Sequence, residues 1–382
     1  MSGRLLHLKA EGTPRELGLL HGETAKHLIE ANLELYFYRF REEWGLPKTE
    51  VLRRAGPYEK VIREADGDYD AAMQGIAQGS GMPYLEVVAL NVRYEIVYSE
   101  YSKVGKKLGL PSGCTAVTLL PSRTREGHLL MAQNWDWIPG VKGLVQQYRL
   151  PQGPEFLAFT EAGIVGGKIG LNSSGLGLLI NGLISDQDSW ERLGVPFHVR
   201  CWQILQSTSL EAATEKIRIS PTSCSANFLL GHSGEGGAEV LDLETCPLGI
   251  EELRPREGVL SHANHFHNAE GLGIWEPFIE GRTSTFERQA RMDRLLRQEL
   301  GVEGRIGPEE LKRLLRDHEG RPTSICRHQE SNLPEVQRYQ TVVSALMDLD
   351  DRKLMIAAGN PCNNDFETFR IRDAPVDEPN PM

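Results

Sequence analysis

Two rhythms of apolar residues divide this chain of 382 residues. Up to about Gly109, apolar positions recur at helical spacing, as through Leu17, Leu20, Leu28, Ile29, Leu33 and Leu35. Thr13 before Pro14 has the form of an N-cap and a first helical residue. A second helical run, Ala71 to Ala77, closes near Gly79-Ser80-Gly81, and a third follows from Pro83 to about Tyr98. From Cys114 onward the apolar runs shorten and are punctuated by glycine, which predicts strands over 115–120, 128–135, 155–161, 167–171 and 176–181. Helical spacing returns over about 197–217, strands near 226–231, 238–243 and 258–263, helices over 284–299 and 308–316, and strands near 341–348 and 353–358. The stretches 138–155 and 182–196 read as loops. Periodicity alone gives an α+β chain. Its first block has little β-structure to pack upon, so it is expected to wrap the remainder rather than to fold as a domain.

Composition narrows the class of molecule. Hydrophobic residues make up 40% and charged ones 25%, ordinary values for a globular chain. A net charge of -11 argues against nucleic acid or an anionic membrane as the main partner. The first residues lack the continuous apolar stretch of a signal peptide and no later window approaches a membrane span, so a cytoplasmic location is expected. Six cysteines, at 114, 201, 224, 246, 326 and 362, form no Cys-x-x-Cys pair and no zinc spacing, so neither disulfides nor a metal is expected.

The chemistry concentrates at Ser112-Gly113-Cys114-Thr115, where a polar loop meets a β-prone run. A buried apolar role is the ordinary one for a lone cysteine. A thiol at the head of a strand also suits self-cleavage. If the Gly113–Cys114 bond is cut, Cys114 becomes a new N-terminus whose thiol is the nucleophile and whose α-amino group, with a pKa of ~7.7–8.0, serves as its base. Across the turn Arg125-Glu126-Gly127, the next strand brings Asn134 and Asp136 back beside Cys114. Alternation places those two on one face and Trp135 and Trp137 on the other.

Gly113-Cys114-Thr115, followed about twenty residues later by Asn134-Trp135-Asp136, resembles the acyl-coenzyme A:6-aminopenicillanic acid acyltransferase family of N-terminal-nucleophile hydrolases, relatives of choloylglycine hydrolase and acid ceramidase. The resemblance extends to Gly12–Glu23, to Gly170–Gly177, to the run Ser261-His262-Ala263-Asn264-His265-Phe266, and to Thr285–Arg291. It implies a four-layer αββα sandwich, with residues 1–113 as a helical pro-segment that stays associated as a small subunit and 114–382 as the catalytic domain. It further implies an autocatalytically processed amidohydrolase or N-acyltransferase that works on a small-molecule amide through a thioester. Cys114 is then the nucleophile, Asp136 orients its amino group and Asn264 donates to the oxyanion. Asn134 either joins that network or caps the strand end. An arginine, Arg288 by motif position with Arg282 as second choice, is held against Asp136 or a substrate carboxylate. No cofactor is implied, and the peroxisomal C-terminal address of the family's fungal members is missing from Pro379-Asn380-Pro381-Met382.

Two rival functions remain at this level. One is a metal-dependent hydrolase built on His262, His265 and His267, although strand alternation splits His262 from the other two. The other is a binding module that keeps the fold without the chemistry. Gly231–Gly237 lies between two β-runs and reads as a hairpin turn rather than a phosphate cradle. The cysteines other than Cys114 read as core or incidental residues.

Overall fold

The computed structural model describes residues 4–108, 113–277 and 284–371. In chain order the elements are β1 (Leu6–Glu11), α1 (Pro14–Thr24), α2 (Lys26–Trp44), α3 (Lys48–Ala65), α4 (Gly67–Ser80), α5 (Tyr84–Asn91), α6 (Arg93–Leu108), β2 (Thr115–Leu119), β3 (Leu130–Trp137), β4 (Gly143–Arg149), β5 (Phe156–Glu161), β6 (Ile169–Asn172) and β7 (Leu176–Gly182). The rest are α7 (Phe197–Leu205), α8 (Leu210–Arg218), β8 (Ala226–Gly234), β9 (Gly237–Cys246), β10 (Gly249–Leu253), β11 (Val259–His262), α9 (Ser284–Glu303), α10 (Pro308–Leu315), β12 (Gln340–Asp348), β13 (Lys353–Ala358) and β14 (Glu367–Arg370). None of the described helices is long and apolar enough to cross a membrane.

The strands form two sheets, ordered β1-β4-β5-β6-β7-β8-β9-β10 and β11-β2-β3-β12-β13-β14. Strand alternation decides how they stack. Met131, Trp135 and Trp137 of β3 enter one core with Leu178 and Ile180 of β7 and Phe159 of β5, between the sheets. Leu130 and Ala132 face the other way, against Met292 and Leu296 of α9 and Leu311, Leu314 and Leu315 of α10. Helices of the first block and α7 cover the far side of the larger sheet; Asn32 of α2 donates to the carbonyls of Lys142 and Ala162 beside it. The result is helix, sheet, sheet, helix, the α+β sandwich that the resemblance implied.

The first block departs from the all-helical expectation at its start. Leu6–Glu11 is a strand that pairs in parallel with β4, Leu6 opposite Leu144 and Glu11 opposite Arg149, and so completes the edge of the larger sheet. Its partner lies more than 130 positions away, so no local signal marks it. The core that begins at Leu8 continues to Ile371 without a break, and the first block has no core of its own. Within it, Thr13 caps α1 in a capping box with Glu16. Helices α1 and α4 cross closely because Gly18, Gly22, Gly75 and Gly79 stand at their contact. A Cβ on any of them would lie within 2.1–2.5 Å of a backbone oxygen of the other helix.

Other differences are local. The stretch 138–155 contains β4, whose Gln146 and Gln147 are buried and blur the alternation. The helical run from Pro83 breaks at Val92, and 197–217 is two helices, the second capped by Ser209. The short strands β10 and β14 carry too few apolar residues to be seen in sequence. The turn at Gly234–Gly237 joins β8 to β9 as expected.

Candidate active site

Strand β2 begins at Thr115, directly after Cys114. Thr115 pairs with Asn134, and two further steps of that antiparallel register set Cys114 opposite Trp135 and then Gly113 opposite Asp136. The Cys114 side chain is 3% exposed. It borders a cavity walled by Tyr94 and Tyr98 of α6, Trp135 and Trp137 of β3, and Phe197 of α7, with Lys168, Gly182 and Asn264 at its margins. Tyr94 stacks on both Tyr98 and Phe197, with ring centroids 3.8 and 4.2 Å apart. Burial pushes the Cys114 thiol up to about 12, and the Asp136 carboxylate adds to the shift. With its amino group tied up in the Gly113 peptide, this thiol is neutral near pH 7.

Two side chains, Arg288 and Asn264, grip the residues of the Gly113–Cys114 junction, and Asp136 lines the same cavity. Arg288, on the first turns of α9 and fully buried, donates from Nη1 to the Cys114 carbonyl oxygen and to Thr115 Oγ1 (2.9 Å), and from Nη2 to Asn264 Oδ1 (3.0 Å). Asn264 Oδ1 also accepts from the Gly113 N–H (3.2 Å), while Nδ2 donates to the Gly182 carbonyl (3.0 Å). The second Nδ2 hydrogen remains, and Nδ2 lies 3.4 Å from where a Cβ on Gly113 would stand. Asp136 Oδ1 accepts from Thr341 Oγ1 (2.7 Å), whereas Oδ2 is buried with no hydrogen-bond partner. Burial raises the Asp136 carboxyl to about 7 against the pull of Arg288 and Arg327.

Comparison with known proteins gives this arrangement a family. The model of the acyl-coenzyme A:6-aminopenicillanic acid acyl-transferase family matches residues 122–363. The chain belongs to this family. It is 29% identical over 368 residues to the acyl-coenzyme A:6-aminopenicillanic-acid-acyltransferase 40 kDa form of Emericella nidulans, covering 96% of this chain and 95% of that protein. Among solved structures it is similar to a mutant form of conjugated bile acid hydrolase from Clostridium perfringens, at 12% identity and a TM-score of 0.42. That match covers 70% of this chain and 100% of the other. An N-acylethanolamine-hydrolyzing acid amidase ortholog from Caenorhabditis elegans gives 12% identity and a TM-score of 0.43 over 62% and 93% of the two chains.

Cys114, Asp136, Asn264 and Arg288, the residues expected from the sequence, meet in space, although Arg288 clasps the Cys114 carbonyl and Asn264 rather than Asp136. Asn134 lies on the opposite face of β3 from the cavity, as alternation required. Its Nδ2 ties down the carbonyls of Leu315 (2.8 Å) and Ile325 (2.9 Å), so it braces α10 and the following loop. Arg282 lies outside the described residues. Arg291 is turned outward onto Asp317 and Glu319.

The histidine cluster does not converge as a triad. The strand ends at His262, so alternation no longer governs the residues after it, and His262 and His267 both reach Glu244, at 2.8 and 2.7 Å. His265 instead meets Thr285 Oγ1 (3.0 Å) and the Phe286 ring. Both His262 nitrogens face oxygens, those of Glu244 and Ala263. That pattern suits an imidazolium rather than a metal ligand or a free base.

Several participants escaped sequence reasoning. Glu161 on β5 is buried and accepts from both Arg93 and Lys168, with Tyr36 on its other oxygen. Lys168 Nζ stands 3.3 Å from the Trp135 ring centroid, and burial lowers its pKa to about 7. Two cations thus share one carboxylate at the edge of the cavity. Thr341, which supports Asp136, opens the expected strand β12, but nothing local set it beside Asp136, and Arg327 lies in an irregular loop without periodic signal.

Proposed function

We propose that this chain is a self-processing cysteine amidohydrolase or acyltransferase, with Cys114 as nucleophile. In maturation, Cys114 Sγ attacks the Gly113 carbonyl carbon. The S–C bond forms, the C–N bond breaks, the thiol proton passes to the departing Cys114 nitrogen, and water hydrolyses the resulting thioester. The liberated α-amino group then becomes the base for turnover. It takes the thiol proton, Sγ attacks the substrate amide carbonyl, and the leaving amine departs with the proton. The thioester passes its acyl group to water or to another amine.

The observation that carries this reading is the pairing of two incomplete groups at one bond. Asp136 Oδ2 is a buried acceptor without a donor, and Cys114 is a buried thiol without a base. A cut before Cys114 supplies both at once, since the new neutral amine donates an N–H to the carboxylate and accepts the thiol proton on its lone pair. Asn264 Nδ2, with a hydrogen to spare beside Gly113, is suited to the oxyanion. Tyr94, Tyr98, Trp135 and Phe197 make an apolar acyl group the best match for the cavity. The 1–113 fragment is expected to remain as a subunit, because Arg93, Tyr94 and Tyr98 come from it.

Intact-mass measurement tests the proposal. The wild-type protein should appear as fragments of 113 and 382 − 113 = 269 residues that co-purify. Cys114→Ala should remain one chain, and iodoacetamide should label Cys114 of the mature protein. Efficient cleavage of Cys114→Ala would sink the proposal.

A further inference from the structure

A second cluster, on the far side of the smaller sheet, has the geometry of a metal centre. Between α10 and β12 the chain runs through 316–339 with a single short 3-10 turn, Glu335–Gln337, a long irregular connection for a packed domain. Four potential ligands meet there. His318, Cys326 and His328 come from this connection and Cys362 from the turn after β13, and their ligand atoms all lie within 4.8 Å of one another. Local spacing does not reveal the cluster, because His318 and Cys326 are eight residues apart and Cys362 follows only after the hairpin of β12 and β13.

The distances fit an ion. Cys326 Sγ and Cys362 Sγ are 3.7 Å apart, His328 Nε2 stands 3.6 and 3.5 Å from them, and the two histidine Nε2 atoms are 3.1 Å apart. Tetrahedral zinc with bonds of about 2.3 Å to sulfur and 2.0–2.1 Å to nitrogen sets ligand edges of roughly 3.8 Å for S–S, 3.6 Å for S–N and 3.3 Å for N–N. Nothing else accounts for the convergence. Both cysteines are free, at a sulfur separation far beyond the ~2.05 Å of a disulfide. One Nε2 atom also has a single lone pair or hydrogen, too little to satisfy a ring and two sulfurs together.

We infer that His318, Cys326, His328 and Cys362 form a structural zinc site that staples the 316–339 connection to the turn after β13. On binding, each thiol gives up its proton to solvent, and two thiolates balance the dication, so a neutral centre is left at the half-buried site. Asn360 Nδ2 lies 3.6 Å from Cys326 Sγ and also donates to the Arg327 carbonyl, the kind of outer hydrogen bond that fixes a ligating thiolate. Arg321, now 3.2 Å from His328 Nε2, is exposed and free to swing out. All four positions are filled by protein, which makes the site structural rather than catalytic. Its position gives it a purpose. Cys326 and His328 flank Arg327, whose N–H donates to Thr341, the partner of Asp136, and Cys326 follows Ile325, whose carbonyl holds Asn134.

The test is metal content of the full chain, expressed without a histidine tag and purified without chelator. One zinc per chain is expected in wild type and in His267→Ala, which alters the Glu244 cluster, and less than about a tenth of that in Cys362→Ser. Cobalt(II) added to stripped wild type should give the visible bands of a tetrahedral centre and a near-ultraviolet thiolate charge-transfer band, and the melting temperature should fall when zinc is removed. The inference is overturned by wild-type protein that binds neither metal, by a mass two hydrogens lighter that shows Cys326 joined to Cys362, or by zinc kept in Cys362→Ser but lost in His267→Ala. Should Cys362→Ser fail to fold, the wild-type zinc content and cobalt spectrum decide by themselves.

Discussion

Asn264 offers the sharpest dissection of the proposed chemistry, because its two amide atoms do different work. Oδ1 accepts from the Gly113 N–H and from Arg288, whereas Nδ2 donates to the Gly182 carbonyl and keeps one hydrogen for the cavity. Replacing it with aspartate preserves the acceptor and removes the donor. Asn264→Asp should therefore hold the Gly113–Cys114 junction and still cut itself, yet turn over substrate at least 10²–10³ more slowly, about 2.7–4 kcal/mol of lost oxyanion stabilisation. Alanine removes both atoms. It leaves the Gly113 N–H, one Arg288 nitrogen and the Gly182 carbonyl unpaired, at about 1–3 kcal/mol for each group that water does not reach, so Asn264→Ala should also process itself more slowly. The assay pairs intact-mass timing of self-cleavage with release of a chromogenic amine from an amide bearing an apolar acyl group, with thermal melting as the control for folding. A cleaved, folded Asn264→Asp that turns over at the wild-type rate would remove Nδ2 from the oxyanion site.

Other outcomes follow from single contacts. Asp136 in the uncleaved chain has a carboxyl raised to about 7 from 3.8, so its ionisation costs stability that is absent at low pH and grows as pH rises between those values. In a Cys114→Ala background, Asp136→Asn should gain stability over its parent across that window, by up to about 4 kcal/mol from three pKa units, and denaturant melts at pH 4 and pH 8 that move in parallel would contradict this. Gly182→Ala would place a Cβ 1.8 Å from the Tyr98 hydroxyl, so it should cost about 1–3 kcal/mol of stability and raise KM; Tyr98→Phe in the same chain should recover part of both, in melts and steady-state kinetics.

The sequence and the structure agree where chemistry and local pattern coincide. Gly113, Cys114 and the strand after them were legible because a hairpin register is a local matter, and the same register correctly sent Asn134 and Asp136 to one face of β3. Alternation could not tell that Asn134 braces α10 while Asp136 lines the cavity beside Cys114, since that depends on what packs above each residue. Strand β1, the Arg93–Glu161–Lys168 network and the cluster at His318 and Cys362 join residues from about 7 to more than 130 positions apart through the fold, and nothing in their immediate neighbours marks them. His262 and His267 were set on opposite faces by extending a strand pattern past the end of the strand.

The parallel pairing of β1 with β4 bears on how the molecule can be made. Expressed without its first 113 residues, the remainder would expose β4 as a bare sheet edge, with unpaired N–H and C=O groups inviting another copy to add on, and would lack the α6 side of the cavity. The short fragment would keep helix pairs such as α1 and α4, yet lose the sheets against which the rest of its apolar surface is buried. Supplying the two halves as separate genes should therefore yield aggregate rather than enzyme, and one continuous translation product acts as the template on which both pieces acquire their shape.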